Sequence, residues 1–101
     1  MLSTEDQLKE ARADWDAAKV HAPPSTAATM LARIAFLSMH LNLYEDALKA
    51  AEEAIDKDSS NIRAYAAASA ALTSLGRRKK QAQAWDKIKN ALMEQAQEEE
   101  F

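Results

Sequence analysis

The side chains of this sequence best suited to proton transfer or metal binding near neutral pH are two histidines, His21 and His40. They share no helical ligand spacing, so together they do not form a metal site. Cysteine is absent. That removes thiolate nucleophiles, thiolate metal ligands and disulfides, and it is compatible with a reducing, cytoplasmic setting. The acidic pairs Glu45–Asp46 and Glu52–Glu53 are sequence neighbours. On a helix such neighbours point apart and cannot work as a general acid and base. Gly76 is the only glycine, so no glycine-rich phosphate loop exists. The sequence therefore predicts no enzyme, no cofactor and no metal.

Charge is the remaining chemical feature. The net charge of −3 is spread in three zones. Residues 1–61 carry 11 acidic and 6 basic side chains. Residues 62–92 carry one acid, Asp86, and seven bases, and the tail from Glu94 to Glu100 holds four glutamates and no base. Within the basic zone, Arg77, Arg78, Lys79 and Lys80 are consecutive. They suit the end of one helix and oppose the start of the next, a conflict that points to a use for the charge. An acidic protein, phosphates or a membrane surface would answer it. Aromatic residues are not interleaved with these bases, so nucleic acid is not the expected partner.

These groups must be carried by helices, because no stretch alternates apolar and polar residues with a period of two. Ser3 reads as an N-cap, and Leu8, Ala11, Trp15, Ala18 and Ala22 form one stripe of a first helix. Pro23 and Pro24 end it. Ser25 is expected to cap a second helix running to about Leu41, apolar on most faces. Glu45 and Asp46 open a third, whose apolar face is Ala47, Leu48, Ala51, Ala54 and Ile55. Asp58, Ser59, Ser60 and Asn61 form a polar turn before a fourth helix, Ile62 to Leu75, which Gly76 stops. The fifth begins near Arg78 and reaches Glu99, with the stripe Ala82, Trp85, Ile88, Leu92 and Ala96. Its length suggests a lid over an open apolar end, and its acidic C-terminal end is expected to fray. The opening MLSTEDQLKE is acidic and does not read as a signal peptide. No apolar run reaches the ~20 residues of a membrane helix.

Displaced by 34 residues, the chain matches itself: Leu31 falls on Tyr65, Leu41 on Leu75, Leu48 on Ala82, Ala51 on Trp85 and Ala54 on Ile88. The run LNLYEDAL, Leu41 to Leu48, followed by Ala51 and Ala54, resembles the tetratricopeptide repeat (TPR) family. So do Tyr65, Leu75-Gly76 and Trp85 in the next unit. Ser59 stands where that family places proline, Gln81 where it places alanine, and Leu31 where it places an aromatic. The expected fold is all-α, a helix-turn-helix array of TPR type with about five helices. Residues 1–22 would form an N-terminal cap or half-repeat, 26–92 two helix pairs, and 93–101 a helix extension with an acidic tail. The many alanines would let paired helices approach closely.

The resemblance implies a protein-binding adaptor or assembly subunit in which the first helix of each pair lines a concave groove. By register, Thr29, Arg33, Phe36, His40, Arg63, Ala67, Ala70 and Ser74 would face it, with Arg33, Phe36 and Arg63 as the main contacts. Only Arg33 and Arg63 resemble the basic set with which some members grip acidic C-termini, so a partner helix or an extended apolar segment is expected instead. The alternative is a binder of anionic surfaces or nucleic acid through residues 62–89. The isolated chain is expected to be a monomer, with helix one folded back as a cap. A dimer through Trp15 is the competing arrangement.

Overall fold

The computed structural model describes residues 2–76 and 78–99. They form an all-α protein of five helices: α1 (Thr4–Ala18), α2 (Pro24–His40), α3 (Tyr44–Lys57), α4 (Ile62–Leu75) and α5 (Lys79–Glu99). Each helix packs on its neighbour in sequence, and α2 also lies against α4. That extra contact sets the first helices of two hairpins side by side.

Local chemistry explains the boundaries. Ser3 accepts a hydrogen bond from the Asp6 amide and starts α1. The helix ends at Ala18, earlier than the stripe through Ala22 predicts. Ala22 precedes Pro23, and a residue before proline is pushed out of the helical region, so the chain must already have turned. The start of α2 also departs from expectation. Pro24 is its first residue and Pro23 its N-cap, so Ser25 lies inside the helix and does not cap it. Proline suits that place: its φ is already helical, and the amide it lacks has no partner there anyway.

The α2–α3 turn closes with the Asn42 amide donating to the Met39 carbonyl and the Leu43 amide to that of Ser38. This is a Schellman closure, and it needs a left-handed residue at Asn42, whose φ is 62°. Gly76, with φ 66°, ends α4 in the same conformation. Asn42 and Gly76 are related by the 34-residue displacement seen in the sequence. At the α3–α4 turn, where the resembled family has proline, side chains do the work. The Asp58 carboxylate accepts from both the Ser60 hydroxyl (2.6 Å) and the Ser60 amide (3.0 Å), which hold it below the usual carboxylate range. Asn61 caps α4 at the Ala64 amide, and the Tyr65 hydroxyl donates to the Ser59 carbonyl (2.8 Å). Burial and the nearby Asp58 charge raise the Tyr65 phenol above its ordinary value.

The core is built largely of alanine. Ala47, Ala51, Ala54, Ala64, Ala67, Ala68 and Ala71 are all fully buried, among Leu8, Ile34, Leu48 and Leu72. Small side chains on α3 and α4 let the ridges of adjacent helices mesh closely. Trp15 is half-buried against this core, with Leu8 and Ala11 of α1 beneath it, so α1 lies on the body as a cap. An exposed ion pair from Arg12 to Asp46 (3.4 Å) adds a tie from α1 to α3, worth at most ~1 kcal/mol.

Helix α5 corrects two expectations. Its stripe is not packed inside throughout: Ala82 is buried and Trp85 half-buried, but Ile88 is 40% exposed. The helix packs only on α4 and continues to Glu99, through residues expected to fray. Leu, Met, Ala and Gln are strong helix formers and sustain it. Its 21 residues span about 31 Å against about 21 Å for the 14 of α4. The Ser69 hydroxyl donates to the Ala82 carbonyl (3.0 Å) and fixes the register. In that antiparallel register the residues after Asn90 extend beyond the start of α4.

Among the described residues one buried side-chain polar atom is unsatisfied. Ser38 is fully enclosed and its Oγ has no hydrogen-bond partner. A hydroxyl stranded in this way costs about 1–3 kcal/mol. Ser38→Ala is therefore expected to raise the midpoint of urea unfolding with the slope unchanged. A lowered midpoint would mean that the hydroxyl is engaged.

Candidate functional site

Two surfaces emerge from this packing. The first is the face shared by α2 and α4. The Arg63 guanidinium lies over the Phe36 ring, 5.3 Å from its centroid, so two of the three main expected contacts meet across the helix pair. Phe36 is half-buried, which fixes its ring, while Arg33 and Arg63 are exposed. His40, also exposed, has Nδ1 2.9 Å from the Phe36 carbonyl. A carbonyl only accepts, so Nδ1 carries the proton and donates, leaving Nε2 as the outward group. Thr29 is exposed and its hydroxyl donates to the Ser25 carbonyl (3.0 Å). On α4, Ala70 and Ser74 are exposed.

Ala67 is the exception among the expected groove residues. It is fully enclosed in the core and offers nothing to a partner. The contact of α2 with α4 covers this position, and the outward stripe of α4 instead runs through Arg63, Ala66, Ala70 and Ser74.

The basic turn is the other expected site. Arg77 lies outside the described residues. Arg78, Lys79 and Lys80 are exposed. Arg78, in a left-handed conformation (φ 51°), borders a concavity lined by four acids of α3, Glu45, Glu52, Glu53 and Asp56, and by one base, Lys49. Lys79 turns toward the seam between α4 and α5. Among the described residues no cluster of three or more His, Asp or Glu side chains could hold a metal ion. No helix among them is long and apolar enough to cross a membrane.

The second surface was not expected. A cleft of about 500 Å³ opens between α4 and α5, lined by Ser69, Leu72 and Thr73 on one side and by Lys79, Ala82, Gln83 and Asp86 on the other. The sequence did hold a signal for it. Displaced back by 34 residues, Ser69, Leu72 and Ala82 fall on Ala35, Ser38 and Leu48. Those three are buried where α2 and α3 meet α4. The cleft is thus the counterpart of a surface that, one unit earlier, is covered by a helix. Comparison with family models, with curated proteins and with solved structures found no match for this chain.

Proposed function

We propose that this chain is a non-catalytic protein-interaction module of the TPR type, a small adaptor or assembly subunit that binds a partner polypeptide across the α2–α4 face. The observation that carries the reading is the Arg63–Phe36 stack, which joins the two helices on that face. A guanidinium held over an aromatic ring keeps its outward donors free for carbonyls or carboxylates of a bound segment. Arg33 adds a second charge, and the alanines of α4 leave room for a backbone or a helix face. The matching left-handed residues Asn42 and Gly76, one repeat length apart, support the repeat architecture on which the reading depends.

Arg33→Ala/Arg63→Ala is expected to reduce recovery of the bound partner from native extract at least about tenfold, as loss of central interface contacts does. Circular dichroism should be unchanged, because both side chains are exposed. Equal recovery by the variant and the parent would refute the assignment of this face. The rival reading, an anionic-surface binder working through residues 62–89, is weakened by the acids around Arg78. It predicts steep loss of binding with added salt, whereas a mostly apolar contact responds little.

A further inference from the structure

The two helices of the proposed binding face carry charge of one sign. Apart from His40, the only ionisable side chains on α2 and α4 other than the buried Tyr65 are Arg33 and Arg63, and neither helix holds an acid. Both arginines are exposed, and neither is in an ion pair with a described residue. Both stand near Phe36: Arg63 lies over its ring, and Arg33 is one turn earlier on α2. Asp58, the acid nearest to Arg63 in sequence, is engaged by Ser60.

The opposite charge lies elsewhere on the same chain. From Glu94 to Glu100 there are four acids and no base. Glu94 and Glu98 are exposed on α5, four residues apart and so neighbours on one face. They too make no ion pair with a described residue. The nearest base on their face is Lys87, two turns before Glu94. Acids near a helix C-terminus oppose its dipole, so a cationic surface relieves an unfavourable field there. Ala91 and Met93, also exposed, supply apolar surface beside Glu94. This end of α5 lies beyond the start of α4, and no contact joins α5 to α2. The acidic end therefore projects from the body and does not lie on the α2–α4 face of its own chain.

We infer that the α2–α4 face of one copy binds the acidic end of α5, from Glu94 onward, of a second copy, with Arg33 and Arg63 on Glu94 and Glu98. The inference rests on the α2–α4 face being the binding surface, and it names an occupant for that face. At high concentration it replaces the monomer expected from the sequence.

Sedimentation of the full chain from about 10 μM to about 1 mM covers the range of weak contacts. At low ionic strength the weight-average mass should rise above the 11.2 kDa of one chain. It should fall back at about 1 M salt, where charges act over only about 3 Å. Two charge reversals at exposed positions identify the surfaces, with circular dichroism to check that each variant is folded. Arg33→Glu/Arg63→Glu makes the face acidic, and Glu94→Lys/Glu98→Lys makes the helix end basic. Each variant alone sets like charges against each other and should keep the mass of one chain. In an equal mixture the acidic face of one variant meets the basic end of the other, and the unchanged face meets the unchanged end, so association returns. A parent that keeps one mass up to about 1 mM in low salt overturns the inference. So do variants that associate alone as the parent does, or a mixture that does not associate. A parent that stays monomeric while Arg33→Ala/Arg63→Ala still loses its partner from extract removes this inference alone.

Discussion

Ala51→Leu is expected to destabilise the protein by about 1–3 kcal/mol. Ala51 is fully buried on α3 in the cluster that contains Ala47, Leu48 and Ala50 of the same helix and Ala67, Ala68 and Ala71 of α4. A leucine adds three heavy atoms at a place where neighbouring backbones, not flexible side chains, set the limit. The helices must move apart or the new side chain must leave its preferred rotamer. For a domain of this size each kcal/mol lowers the melting temperature by about 4–8 °C. An unchanged melt would mean that α3 and α4 are not closely packed at this position, and the alanines would then reflect helix propensity alone.

Leu72→Ala should cost more, about 2–5 kcal/mol. Leu72 is the largest fully enclosed apolar side chain of the chain's described residues. It sits on α4 between the core and the cleft toward α5. The substitution removes buried apolar atoms from the one helix that touches α2, α3 and α5 together. The loss should lie nearer the lower figure, because the space created joins an existing cleft that water can enter. Chemical unfolding of the variant beside the parent measures it. A loss below about 1 kcal/mol would show that Leu72 contributes little packing despite its burial.

These two positions also show what the sequence could and could not reveal. The spacing of Ala47, Leu48, Ala51 and Ala54 placed α3 and its buried face correctly, because burial on a helix follows its period. Gly76 marked the end of α4 for a purely local reason, its left-handed backbone. Asn42 plays the same part at the end of α2, but asparagine signals that conformation more weakly than glycine, and the turn was read only as a break. At the proline pair, two local rules competed. Ser25 looked like a cap, and the fixed φ of Pro24 took the helix start one residue earlier.

The candidate sites were less legible. Register alone assigned Ala67 to the outer face of α4, and the approach of α2 buried it. Periodicity gives the direction of a side chain on its own helix but not how far the next helix reaches across. Arg63 and Phe36 were named separately, and only the α2–α4 packing brings the guanidinium over the ring. The cleft depends on what α5 does not cover. A helix stripe such as Trp85, Ile88 and Leu92 reads as buried in sequence whether or not a neighbour exists to bury it.

The order of helix contacts has a kinetic consequence. Four of the five touching pairs are consecutive in sequence, and α2 with α4 is separated only by α3. Forming this core closes no long loop, so little chain entropy is lost before packing begins to repay it. Such a chain should fold on the microsecond-to-millisecond scale typical of helical proteins rich in local contacts. A substitution in a helix that docks late should speed unfolding more than it slows folding.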